Sequence, residues 1–148
     1  MSHLPAFLHV DDSENDRDLF ARAFAASGVR AALHSLGDVT QLLLYLNQLG
    51  PFIGARRPRL IILDLMMPHY DGHAILDLLK HNVRFRTIPV VVLTGKQGSE
   101  VSERCLEQQA DEYCIKPPSQ LELVELIRGF DRWLVGSSTS LPATPSSI

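Results

Sequence analysis

The chain has 148 residues, 45% of them hydrophobic and 21% charged, with a formal net charge of −3. That length supports one well-buried core, and the charge balance excludes the basic face of a nucleic-acid-binding domain. No apolar run approaches the ~20 residues that span a bilayer, residues 1–10 lack the pattern of a signal peptide, and Cys105 and Cys114 have no metal-type spacing and suit a reducing, cytoplasmic setting.

The run Ala6-Phe7-Leu8-His9-Val10 predicts a first strand, closed by Asp11-Asp12. Ser13 then caps a helix, with Asp16 three residues on as a capping-box partner. Leu19, Phe20, Ala23, Phe24 and Ala26 supply its apolar face, and Ser27-Gly28 ends it. Residues 31–36 read as a weaker strand. Gly37-Asp38 opens a second helix, with Leu42, Leu43, Leu46 and Leu49 on one face and Gly50-Pro51 as its stop; a loop follows to Pro58.

Leu60-Ile61-Ile62-Leu63 is a continuous apolar run ending in Asp64, with Pro68 four residues later. Such a run predicts a strand buried on both faces of a parallel sheet. His69-Tyr70-Asp71-Gly72 is a turn signal, and Ala74 to Leu79 predicts a helix ending near Asn82. Residues 88–93 form another β-branched strand, followed by Thr94-Gly95. Residues 99–109 predict a polar helix whose thin apolar face is Val101, Cys105 and Leu106. Tyr113-Cys114-Ile115 is the last strand, before Lys116-Pro117-Pro118. Ser119 and Glu122 make a capping box that opens a helix through Leu123, Leu126, Ile127 and Phe130 to about Trp133. Residues 136–148, rich in Ser, Thr and Pro, are expected to be a disordered tail on a domain spanning residues 1–135.

Five strands alternating with five helices imply a doubly wound α/β fold: a five-stranded parallel sheet covered on both faces. The carboxyl ends of its strands then share one edge, where such folds bind ligands. Asp11, Asp12, Asp64, Thr94 and Lys116 all fall there. Three carboxylates that close need a cation, and all-oxygen ligation favours Mg²⁺. A hydroxyl and an ammonium beside them suit phosphoryl oxygens. The chemistry this predicts is attack of the Asp64 carboxylate on phosphorus to give an acyl phosphate. Each residue also has a plainer role. Asp11-Asp12 can favour the helix N-terminus electrostatically, Thr94 can cap a helix, and Tyr113 can be a half-buried packing residue. His69 and His73 sit four apart, but the Asp71-Gly72 turn between them breaks any shared helix face and with it a two-histidine metal site.

Asp11-Asp12, Asp64 with Pro68, Gly72, Thr94 and Lys116-Pro117, in that order, resemble the receiver domain of two-component response regulators over residues 6–133. The loop at residues 51–58, the stretch Pro89-Val90-Val91-Val92-Leu93-Thr94 and the closing residues 130–134 resemble the stand-alone, phytochrome-associated members. The resemblance implies a flavodoxin-like (βα)5 fold and a signalling protein, not an enzyme beyond its own phosphotransfer and dephosphorylation. It implies Asp64 as phosphoacceptor, Mg²⁺ or Mn²⁺ held by Asp11, Asp12, Asp64 and the Met66 backbone carbonyl, and Thr94 and Lys116 as phosphoryl contacts. Thr94 and Tyr113 would form a switch, and the Lys116–Pro117 peptide is expected to be cis. Gln109 departs from the pattern, standing where a glycine is usual.

The implied partner is a sensor histidine kinase, with a bacteriophytochrome as one candidate, and neither nucleic acid nor membrane. A homodimer is expected through the fourth helix, fifth strand and fifth helix, because the closing Ile127, Phe130, Trp133 and Leu134 exceed the needs of one helix face. Two other readings stay open. A haloacid-dehalogenase-type phosphohydrolase would want a second aspartate where Met66 stands. A receiver-like module that is never phosphorylated would typically have lost a pocket residue, and this chain keeps them all.

Overall fold

A computed structural model describes residues 4–67, 69–95 and 99–134. Pro68 and the predicted tail at 136–148 lie outside the described residues. Five strands, β1 (Ala6–Val10), β2 (Ala32–Leu36), β3 (Pro58–Leu63), β6 (Val90–Thr94) and β7 (Glu112–Ile115), form a parallel sheet in the order β2-β1-β3-β6-β7. A two-stranded antiparallel hairpin, β4 (Met66–Met67) and β5 (Tyr70–Asp71), stands apart from the sheet and was not foreseen. The helices are α1 (Glu14–Ser27), α2 (Val39–Leu46), α3 (Gly72–Lys80), α4 (Ser99–Glu107) and α5 (Gln120–Arg128).

The strands are apolar throughout because both faces are covered. Along β3, Ile61 and Leu63 face a core completed by Leu42, Leu46, Leu76, Leu79 and Cys105 from α2, α3 and α4. Leu60 and Ile62 face the opposite core, with Phe20, Ala23 and Phe24 of α1 and Val124 and Ile127 of α5. The order reverses at β1, which pairs with β2 on one side and β3 on the other. That switch point sets Asp11 and Asp64 side by side at one sheet edge.

Local chemistry explains most of the helix ends. The Ser13 side chain accepts from the Asp16 N–H, and Gly28 closes α1 in the left-handed region at φ 78°. Asp38 and Asp71 cap α2 and α3. Ser119 Oγ accepts from the Glu122 N–H, the first half of the expected box, and its hydroxyl donates to the Glu122 carboxylate at 2.8 Å in place of the reciprocal bond to the Ser119 backbone N–H. The α2 helix ends earlier than its leucine pattern predicts: Asn47 caps it, Gln48 turns left-handed (φ 57°), and Leu49 is left exposed. Gln109 also adopts a positive φ of 70°, which explains why a glycine suits that position.

Several expectations need correction. Among the described residues every peptide bond is trans, Lys116–Pro117 included. Trans is the lower-energy isomer of an X–Pro bond by roughly 0.5–1 kcal/mol. Lys116 continues the sheet, its N–H donating to the Thr94 carbonyl at 2.8 Å, and its long stem reaches the carboxylates without a cis turn. The closing apolar residues are not surplus: Ile127 and Phe130 are fully buried, and Trp133 and Leu134 pack half-buried against the same core. Leu106 belongs to no core face and is 61% exposed. Nor is α4 held by its thin apolar face alone. Gln108, just beyond its end, bonds both the His73 ring (2.7 Å) and the His73 carbonyl (3.0 Å).

At Gly72 the backbone passes so close to β3 that an added Cβ would lie 2.6 Å from Leu65 Cα and 2.9 Å from the Asp64 carbonyl oxygen. Backbone atoms cannot yield there without moving Asp64. Gly72→Ala is therefore expected to cost about 1–3 kcal/mol, the usual penalty of overpacking, measured as a lowered urea midpoint. An unchanged midpoint would show that the turn relaxes freely.

Candidate functional site: an acidic pocket at the carboxyl ends of the strands

Each site residue is placed by the end of a strand. Asp11 follows β1, with its N–H donating to the Leu36 carbonyl (3.1 Å); Asp64 follows β3, with its N–H donating to the Val10 carbonyl (3.1 Å). Their side chains are 1% and 2% exposed. Thr94 ends β6 and is fully buried, and Lys116 follows β7. The Lys116 ammonium lies 3.0 Å from Asp64 Oδ2, 3.2 Å from Asp16 Oδ2 and 3.4 Å from Asp11 Oδ2. One cation thus bridges carboxylates from two strand ends and α1.

The electrostatics follow from burial. Desolvation pushes the Asp11 carboxyl up to about 6; the Ser13 N–H and the Lys116 charge oppose this, and the Asp64 charge reinforces it. Burial alone would lower the Lys116 pKa, but its hydrogen bond and ion pair with Asp64, helped by Asp11 and Asp16, raise it well above the ordinary lysine value. His9, 1% exposed and stacked on Phe20 at 3.9 Å, is driven down to about 3, first by burial and then by Lys116 and Arg17. It is therefore neutral at physiological pH, and its 3.9 Å approach to Asp11 Oδ2 is too long for a hydrogen bond.

The structure rearranges the expected acidic set. Among the described residues, the carboxylates whose oxygens lie within 4.8 Å of one another are Asp11, Asp16 and Asp64. Sequence reasoning used Asp16 only as a helix cap. Its distance from Asp64 in the chain hides that one turn of α1 swings its side chain back over the sheet edge. Ser13 N–H, the cap's other donor, bonds Asp11 Oδ1 (3.0 Å) and not Asp16. Asp12 is not one of these three carboxylates. Its Oδ2 is buried without a hydrogen-bond partner, and the His69 ring nitrogen stands 3.5 Å away. A buried anionic oxygen with no donor is costly, and a hard divalent cation is the group this donor set fits.

The remaining expected residues surround this pocket. Met66 begins β4, two residues beyond Asp64. Tyr113 lies half-buried in β7, paired in register with Val92 of β6. A Cβ at Gly95 would meet nothing within 4 Å among the described residues. A cavity of about 260 Å³ adjoins the acidic cluster between α1 and α5, lined by His9, Asp16, Leu19, Lys116, Pro117 and Gln120 among others.

Comparisons with known proteins agree with this fold. A family model described as the response regulator receiver domain matches residues 7–128. Response regulator Rcp1 of Synechocystis sp. is 31% identical over 137 residues, covering 92% of this chain and 92% of the relative. The crystal structure of the Mn²⁺-bound form of Rcp1 superposes with a TM-score of 0.73 at 27% identity, covering 96% of this chain and 99% of that one. That of the phosphorylated cyanobacterial phytochrome response regulator RcpA gives 0.78 at 28% identity, covering 93% and 98%.

Proposed function

The chain belongs to the response regulator receiver family, and from that premise we propose that Asp64 accepts a phosphoryl group from the phosphohistidine of a sensor histidine kinase. One observation carries the reading: the Lys116 ammonium held on Asp64 beside a second strand-end carboxylate, with buried Thr94 at the next strand end. In the transfer, an Asp64 carboxylate oxygen attacks phosphorus as the phosphorus–nitrogen bond breaks. The electron pair stays on the histidine nitrogen, which takes up a proton. Lys116 and Thr94 then hold the phosphoryl oxygens.

Asp11, Asp12, Asp64 and the Met66 carbonyl would hold Mg²⁺ or Mn²⁺, which neutralises the crowded carboxylates and the incoming phosphoryl oxygens. The neighbouring Asp11 and Asp64 oxygens and the unpartnered Asp12 oxygen support that assignment. Thr94 turning to the phosphoryl group would free space beside β7, and Tyr113 would follow it as a switch. Similarity to Rcp1 and RcpA supports a bacteriophytochrome as the kinase. The test is phosphotransfer from a panel of purified, labelled histidine kinases. Label should leave one kinase for this protein within seconds to minutes and need a divalent cation. Transfer from none of them, with acetyl phosphate also inert, would overturn the reading.

Output would pass through protein contact at the face made by α4, β7 and α5. Among the described residues this face exposes Leu106 (61%), Ile115 (42%) and Leu121 (73%), one from each element. Exposed apolar side chains mark contacts where they gather, and a second copy would pair there about a two-fold axis. Light scattering at micromolar concentration should give a dimer with beryllofluoride. A monomer with and without it rules the dimer out, and a dimer that survives paired Leu106→Glu and Leu121→Glu substitutions lies on another face.

A further inference from the structure

We propose that His69 is an imidazole ligand of the divalent-cation site, joining it beside Asp12 and shifting its preference from Mg²⁺ towards first-row transition metals. The inference rests on the metal-dependent reading above and adds a residue and a selectivity to it.

His69 lies in the turn between β4 and β5, five residues beyond Asp64. Its Nδ1 stands 3.5 Å from Asp12 Oδ2. That distance is too long for a good hydrogen bond, and the Asp12 oxygen has no other hydrogen-bond partner among the described residues. Two ligand atoms at neighbouring corners of an octahedron with bonds of about 2.1 Å sit about 3 Å apart. The Asp12–His69 pair is therefore half an ångström wider than two adjacent ligands of one ion. The oxygen is already buried and anionic. The ring is 82% exposed, so it can close the gap by side-chain rotation at little desolvation cost.

The two donors differ in kind, and that difference sets the selectivity. Asp11, Asp64 and a backbone carbonyl are hard oxygen donors, suited to Mg²⁺. Imidazole nitrogen is a poor ligand for Mg²⁺ and a good one for iron, nickel, copper and zinc. Affinity for a mixed nitrogen and oxygen site rises from manganese through cobalt to nickel. An oxygen-only pocket would gain less along that series than one with an imidazole arm.

The experiment is isothermal titration of the full chain with MgCl₂ and, separately, CoCl₂, for the wild type and His69→Ala, with the visible d–d spectrum of the Co²⁺-loaded protein as a second readout. His69 is exposed, so the variant keeps the fold. We expect His69→Ala to weaken Co²⁺ binding by about tenfold or more, in line with the loss of one ligand or its support, with Mg²⁺ binding changed less than about twofold and a shifted Co²⁺ spectrum. Equal losses for the two ions, or no loss for either with an unchanged spectrum, would overturn the inference while leaving the metal site in place. A wild type that binds neither ion would overturn both the inference and the metal-dependent reading.

Discussion

Asp64→Asn is expected to abolish covalent modification of the protein by acetyl phosphate and Mg²⁺, while the wild type gains a phosphoryl group detectable by intact mass. Asparagine has the shape of aspartate and can still accept a hydrogen bond from Lys116, so the pocket is disturbed little. What it lacks is the anionic oxygen that attacks phosphorus. The alternative acceptors are poorly placed. Asp11 is as buried as Asp64, but its Oδ1 accepts from the Ser13 N–H, and its Oδ2 stands farther from the Lys116 ammonium (3.4 Å against 3.0 Å). Asp16 is 42% exposed on α1, and Asp12 turns towards His69. Chelation of the cation should also stop the reaction in the wild type. An Asp64→Asn yield equal to wild type would remove Asp64 as the acceptor.

The second large effect is on stability. Lys116→Met keeps most of the stem and deletes the charge that bridges Asp11, Asp16 and Asp64. Removing one partner from a buried ion pair costs roughly 3–5 kcal/mol because the other charge is left uncompensated. Lys116 is 28% exposed, so a value near the lower end, about 3 kcal/mol, is expected in metal-free protein at pH 7.5. Two conditions should soften it. A divalent cation at a hundred times its dissociation constant restores about 2.7 kcal/mol by mass action if it binds only the folded state.

Acid should soften it as well. The folded-state pKa of Asp11 is raised from 3.8 to about 6, so the folded state takes up a proton before the unfolded state as pH falls. The stability linked to that proton is complete below about pH 3.8 and is lost as pH rises through about 6. Below that point the carboxyl is neutral and needs no ammonium, so the penalty of Lys116→Met should shrink. Urea midpoints of wild type and variant at pH 7.5 and 5.5, with and without Mg²⁺, measure both effects. A penalty that is independent of pH and metal would show that Lys116 acts through packing alone.

Much of this was legible in the chain. Continuous apolar runs at residues 60–63 and 88–93, alternating with helical periodicity, can be buried on both faces only in a covered parallel sheet. Parallel strands place their ends on one edge, so Asp11, Asp64, Thr94 and Lys116 had to be neighbours. Ser13, Asp38 and Ser119 announced helix starts because a cap is a contact across three residues. The capping and apolar signals are local or periodic, which is why a one-dimensional pattern carries them.

What the tertiary structure decided lies in directions and distances between segments. Asp16 joined the Asp11–Asp64 cluster, and Asp12 came to face His69, because the exit angle of α1 from the sheet, not residue spacing, aims those side chains. Leu49 and Leu106 left the core because each helix ends or rotates where its neighbours stop covering it. Phe130 closed the core behind α5, while Leu106, Ile115 and Leu121 were left exposed on three separate elements. The trans Lys116–Pro117 bond and the His69–Asp12 approach depend likewise on how far a stem or a hairpin must reach across a gap. The sequence determined which groups stand at the strand ends; only packing in three dimensions determined which of them touch, because contact depends on orientations that no residue spacing encodes.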